Sequence, residues 1–186
     1  MSEQHIARAL PVDMAADPSE RLSSLFDDHY DRLYRLARRL AANSDDALDL
    51  VQDTFLRAAK SPRSIPTGHS NEEAWLVRVL INLRRDQWRK AGVRNRYEQA
   101  GSGDDLEERG SRDPEAPLIA KNTVWRTLDA LPPRRRAIVV LFELDGLAIA
   151  AIASLLGISA ITVRWHLSMG RRDLGRALRA HLGGKK

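Results

Sequence analysis

The sequence contains no cysteine. That absence excludes disulfides, thiolate metal sites and cysteine nucleophiles, and it suits a reducing compartment. The five histidines are scattered without metal-ligand spacing, so no metal and no other cofactor is expected. No apolar run approaches the length that spans a bilayer, and residues 1–20 carry acids early and lack the apolar segment of a signal peptide. A cytoplasmic protein is expected. Alternating strand patterns and internal repeats are also missing, as are a phosphate-binding glycine loop and a nucleophile in a catalytic motif. The chain therefore points away from enzyme chemistry, with no catalytic residue and no small-molecule substrate.

What is present is enough for one or two small globular domains: 186 residues, 43% of them hydrophobic. The formal charge of +5 favours a polyanionic partner, and its distribution is more informative than its size. From Arg84 to Arg96, six basic residues face one acid, Asp86. From Glu98 to Glu115 the sign inverts, with seven acids against Arg109 and Arg112. A basic block followed at once by an acidic one is a patterned chain.

The periodicity is helical throughout, and the expected fold is all-α. Residues 1–20, with Pro11 and Pro18, read as a mobile leader. A first domain is expected over 21–92. Its first helix carries Leu22, Leu25, Phe26, Tyr30, Leu33, Tyr34, Ala37 and Leu40, and Asn43-Ser44-Asp45 can start a second with Leu48, Val51, Phe55 and Ala58 or Ala59 inward. After a proline- and glycine-bearing loop, Asn71 is a plausible cap for a third helix that turns Trp75, Val79, Leu83 and Ile81 or Leu80 to the core. Residues 93–117 lose the apolar period and read as a flexible acidic linker. The second domain, 118–183, has a stripe of Val124, Leu128 and Leu131, the Pro132-Pro133 break, and a run from Ile138 to Leu144.

The segment from Ile152 to Leu167 reads as a helix-turn-helix. Leu147, Ile149, Ile152, Leu155 and Leu156 stripe the first helix, Gly157 suits a left-handed turn, and Ser159 can cap the second helix. With Val163 and Leu167 anchored inward, Ala160, Arg164, Trp165, Ser168, Arg171 and Arg172 are left on faces that can meet phosphates or guanine edges. Elsewhere, Asp49, Gln52 and Asp53 share one face of the second helix, where carboxylates flanking an amide suit an arginine-bearing partner as well as plain solvation. The third helix carries Asn82, Arg85, Asp86 and Arg89 with Trp88 among them, a mixture that fits separated DNA strands. Trp88 equally fits the role of closing a small core, and Trp75 is expected in the core.

Taken in order, Asp46-Ala47-Leu48-Asp49-Leu50-Val51-Gln52-Asp53-Thr54-Phe55, Ala74-Trp75-Leu76-Val77-Arg78, Asn82-Leu83-x-x-Asp86, Leu131-Pro132-Pro133-Arg134 and the helix-turn-helix resemble the extracytoplasmic-function (ECF) sigma factors of bacterial RNA polymerase. The resemblance covers about Leu22 to Leu182. It implies a σ2-type domain that binds the clamp of the polymerase β′ subunit through Asp49, Gln52 and Asp53 and opens the minus-ten element through Asn82, Arg85, Asp86, Trp88 and Arg89. It implies a σ4-type domain that reads the minus-thirty-five element through Ser159, Arg164, Trp165, Ser168, Arg171 and Arg172, and contact of the chain with the polymerase β flap. Promoter DNA, core RNA polymerase and an anti-sigma factor are the implied partners. Leu48 stands where the family usually has an acid, Asp53 where it has Glu, and Ala150-Ala151 where it has an acidic pair. The acidic linker is either a tether or a segment running through the polymerase near template and RNA. The alternative function is a free-standing helix-turn-helix regulator, usually dimeric on a two-fold site, which leaves the Asp49 face and the Asn82 segment unexplained.

Overall fold

The computed structural model describes residues 18–99, 125 and 127–183. Among them there are helices, turns and no strands. Helix α1 is Pro18–Leu40, α2 is Ser44–Lys60 and α3 is His69–Gln99. Residues 127–129 are helical, followed by α4 (Pro133–Val139), a wider π-type segment (Val140–Leu144), α5 (Ile149–Leu156) and α6 (Ala160–Gly183). No single helix among the described residues is long and apolar enough to cross a membrane. The leader, apart from Pro18 to Glu20, and the linker from residue 100 onward lie outside the described residues.

Local chemistry explains most of the boundaries. Asn43 is extended, and its side chain accepts Asp46 N–H at 2.7 Å, while Asp45 and Asp46 at the start and Arg57 and Lys60 at the end of α2 complement the helix dipole. Pro133 opens α4 at a position where no N–H is needed. The expected cap at Asn71 is not one. Gly68 turns the chain at φ 95°, its carbonyl accepts from Asn71 N and Glu72 N, and α3 thus starts two residues earlier, at His69; Asn71 Nδ2 donates to Thr67 O instead. Helix α3 also runs past the expected boundary at Val93 to Gln99, no proline or glycine intervening after Gly92 until Gly101.

Leu25, Leu33, Leu36, Ala37 and Leu40 of α1, Ala47, Leu50, Val51, Phe55 and Ala58 of α2, and Leu76, Val77, Leu80 and Ile81 of α3 form the N-terminal core. The α3 stripe is rotated from the one read in the sequence: Trp75, Val79 and Leu83 are half-buried at its flanks. Leu48 departs further, being 36% exposed on α2 rather than in its stripe. In the C-terminal half, Leu128, Leu131, Ile138 to Leu141, Ile152, Leu155, Val163 and Leu167 are buried. Gly170 permits the closest approach there, since a Cβ on it would lie 2.6 Å from Val139 Cγ2.

The two halves dock. Helix α3 packs on α4 and α5, α1 touches α4, and the buried apolar residues of both halves form one continuous cluster. Four arginines seam the junction. Arg32 Nη2 donates to Asp145 at 3.0 Å and Arg39 also pairs with Asp145. Arg136, buried, donates to the carbonyls of Arg39 (2.7 Å) and Ala41 (3.1 Å) and pairs with Asp129. Arg78 Nε donates to Leu155 O at 2.6 Å, and Arg84 Nε to Leu40 O at 2.9 Å within the N-terminal half. Arginines supply donors to carbonyls left open where helices end.

Candidate functional site

Three exposed faces carry the residues singled out by sequence. On α2, Asp49, Gln52 and Asp53 are all solvent-exposed. They stand beside Leu48 and Leu56, which are 36% and 55% exposed. Leu48, Gln52 and Leu56 recur every four residues, so the face combines two carboxylates, an amide and two leucines. Phe26 of α1 is 43% exposed, its ring centre 4.8 Å from that of Phe55 of α2 and 4.9 Å from that of Tyr30. The i, i+4, i+8 spacing of Leu48, Gln52 and Leu56 is visible in the sequence and puts Leu56 on this face, whereas nothing in the sequence marks Phe26 as exposed. Exposed apolar side chains grouped beside charges mark an interaction surface.

On α3, Asn82, Arg85, Asp86 and Arg89 follow at i, i+3, i+4 and i+7 and share one face, with Trp88 one turn beyond Arg85. Asn82, Trp88 and Arg89 are exposed; Arg85 and Asp86 are half-buried. Trp88 is 52% exposed, which removes the reading in which it closes a core. Arg85 Nη2 and Arg89 Nη2 lie 3.5 and 3.9 Å from the same Asp86 oxygen. Two guanidinium groups thus lie near Asp86 on a helix face that Trp88 extends by one turn, and these residue types are able to take backbone phosphates and a stacked base. Arg84, counted in the same basic block, is committed to Leu40 O.

The C-terminal face is a helix-turn-helix. Helices α5 and α6 are bent by 108° to one another, within the range of that motif. Gly157 closes α5 in the left-handed conformation at φ 63°, ψ 42°. Ser159 Oγ accepts Thr162 N–H at 3.1 Å and so caps α6. Val163 and Leu167 are buried, while Ser159, Arg164, Trp165, Ser168, Arg171 and Arg172 are exposed.

Their surroundings differ. Arg171 is held by Glu143 at 2.7–2.8 Å and stacks over Phe142 with its Cζ 5.5 Å from the ring centre. Trp165, 53% exposed, is flanked by Arg135 (5.6 Å) and meets His166 edge-on. Arg135 also pairs with Asp173. Burial, and then the charges of Arg135 and Arg134, lower the His166 pKa below its ordinary 6.5. A shallow cavity of about 330 Å³ lined by Phe142, Ile149, Arg164, Leu167, Ser168 and Arg171 opens on this face.

Two family matches coincide with these halves: Sigma-70 region 2 over residues 25–94, and Sigma-70 region 4 over residues 121–174. The "ECF RNA polymerase sigma factor SigM" of Mycobacterium tuberculosis is 31% identical over 176 residues, covering 95% of this chain and 86% of the relative. The chain is a member of the ECF sigma factors. SigE of Mycolicibacterium smegmatis, also an ECF RNA polymerase sigma factor, is 36% identical over 174 residues, covering 91% of this chain; the match spans 65% of that longer relative. Among solved structures, the sigma factor RpoE in complex with the anti-sigma factor NepR from Bartonella quintana superposes with TM-score 0.62 at 26% identity, over 87% of this chain and 96% of that one. CnrH, in complex with the cytosolic domain of CnrY, gives 0.56 at 25% identity over 87% and 90%. Within this sigma factor, α1 to α3 carry region 2, and α4 to α6, through Leu174, carry most of region 4.

Proposed function

We propose that this sigma factor directs core RNA polymerase to specific promoters and starts transcription there. The α2 face of Asp49, Gln52, Asp53, Leu48 and Leu56 docks on the β′ clamp, the C-terminal half meets the β flap, and the α3 face of Asn82, Arg85, Asp86, Trp88 and Arg89 takes the opened minus-ten strand. Ser159, Arg164, Trp165 and Ser168 read the minus-thirty-five element, Arg172 adds a phosphate contact beside them, and Arg171 is positioned by Glu143. Bond formation belongs to the polymerase, and no catalytic role is assigned to this chain. The cytoplasm, where polymerase and DNA meet, is the corresponding compartment.

The observation that carries this reading is the exposed carboxylate, amide and leucine face on α2. A regulator that needed only DNA would have no use for it. An anti-sigma partner is part of the proposal, supported by the superposition on RpoE, a sigma factor solved with the anti-sigma factor NepR.

In-vitro transcription from a genomic fragment library with core polymerase tests it. Start sites are expected with wild type and not with Asp49→Arg/Asp53→Arg. Specific DNA binding by the isolated chain, with no initiation from a cognate core, would establish the free-standing regulator instead.

A further inference from the structure

The three faces described above leave out the group of side chains where α1 meets the first turn of α3. His29 is 1% exposed, and its Nε2 is buried with no hydrogen-bond partner among the described residues. The imidazole of His69, which opens α3, lies against it with ring centres 4.5 Å apart. Glu73 stands one turn further along the same face of α3. One ligand atom from each of His29, His69 and Glu73 lies within 4.8 Å of the others. Glu72 Oε2 is 3.8 Å from His29 Nε2, too far for a hydrogen bond.

A buried ring nitrogen without a partner calls for a physical reason, and an ion is one. Two imidazoles with a carboxylate are the donor set of a borderline divalent cation such as Zn²⁺ rather than of Mg²⁺ or Ca²⁺, which prefer oxygen alone. At zinc–ligand distances of about 2.0–2.2 Å, a tetrahedral ion spaces its ligand atoms about 3.3 Å apart. His69 is exposed and Glu73 half-buried, so both can close that gap by side-chain rotation. Arg32 Nε occupies Glu73 Oε1 at 3.1 Å, but a carboxylate has lone pairs for a second partner. Arg21, 3.8 Å from Glu72, and Arg32 add positive charge at the rim, which Glu72 and Glu73 offset.

We propose that His29, His69 and Glu73 form a binding site for a Zn²⁺-class ion, with Glu72 or water as fourth ligand, clipping α1 to the start of α3. The two histidines are 40 residues apart and come from different helices, so only the packing of α1 on α3 assembles the site.

Equilibrium dialysis of the full, untagged chain against buffered Zn²⁺, after chelation, tests it. One zinc per wild-type chain is expected, with a zinc-dependent rise in melting temperature. Affinity should fall at least about tenfold in His69→Ala and in Glu73→Gln, side chains outside the core whose loss leaves the circular dichroism unchanged. His29→Gln should abolish binding. A wild-type chain without stoichiometric zinc, or zinc retained undiminished by the His69→Ala/Glu73→Gln double variant, would overturn the proposal and leave His29 as a packed imidazole beside Glu72.

Discussion

Asp145, the residue that ends the π-type segment after α4, accepts Arg32 Nη2 at 3.0 Å across 113 residues of sequence. Its side chain is 3% exposed and holds Arg39 as well. Desolvation opposes the charge on Arg32, yet its hydrogen bonds and charge contacts with Asp145 and Glu73 outweigh that cost and raise its pKa. One carboxylate of region 4 thus gathers two guanidinium groups of region 2.

Removing that carboxylate should loosen the docking of the halves. In Asp145→Arg, three like charges would meet in one buried spot. Small-angle X-ray scattering should show a larger radius of gyration than wild type, while the helical signal by circular dichroism persists. Asp145→Asn, which keeps the shape and loses the charge, should cost about 1–3 kcal/mol. An unchanged radius of gyration in Asp145→Arg would mean that the apolar contacts of α3 suffice.

Gly170 and Gly175, both within α6, should respond in opposite directions. A methyl at Gly170 would meet Val139 Cγ2 at 2.6 Å, inside a packed junction. Gly170→Ala should destabilise by about 1–3 kcal/mol. At Gly175 the nearest atom is the far end of the Arg179 side chain, at 3.7 Å, so Gly175→Ala should stabilise by up to about 1 kcal/mol through helix propensity. Thermal melts of both variants decide it, and equal shifts would contradict the close approach.

His166 should make region 4 acid-sensitive. Its folded pKa lies below the ordinary value of 6.5, so between those two values the unfolded chain binds a proton that the folded chain does not. Stability is full above pH 6.5 and declines as pH falls through the window beneath it. Urea melts from pH 7.5 to 5 should show this slope in wild type and a shallower one in His166→Gln. Identical slopes would place the sensitivity elsewhere.

Arg172 and Arg164 should separate affinity from reading. Arg172 is exposed at the edge of α6. Arg172→Ala should weaken all duplexes alike and reduce the slope of log K against log salt by about 0.9, one phosphate contact. Arg164 lies one turn into α6 beside the Phe142–Ser168 recess, and Arg164→Ala should relax preference at one base pair by about 1–3 kcal/mol. Binding titrations on matched and mismatched duplexes at several salt concentrations distinguish the two. A sequence-dependent loss in Arg172→Ala would exchange the roles.

Much of this was legible in the chain because it depends on near neighbours. The helix-turn-helix needs a left-handed residue, a cap and two inward anchors within a dozen positions, and Gly157, Ser159, Val163 and Leu167 take those parts. The Asp49 face follows from helical spacing alone. Apolar character alone predicts Leu48 inward; on α2 it lies on the Gln52 side of the helix, away from the buried Ala47, Leu50 and Val51. On α3, Leu80 and Ile81 are buried as their spacing predicts, while Trp75, Val79 and Leu83 lie at the flanks. Several registers of apolar residues fit one long helix, and only contact with α1 and α2 selects Leu76, Val77, Leu80 and Ile81.

The all-α class, the two family regions and the outward polar faces were determined by the sequence alone, since backbone geometry turns spacing into sidedness. Which arginines remain available to DNA was decided only by the tertiary structure. Arg84 and Arg136 look like phosphate ligands in a basic chain, yet their donors go to carbonyls at Leu40, Arg39 and Ala41. Asp145 likewise shows no sign of its partners in α1, and His29 none of His69. Hydrogen bonds and ion pairs act over a few ångströms of space, and a linear spacing of 40 or 113 residues carries no trace of that distance until the helices pack.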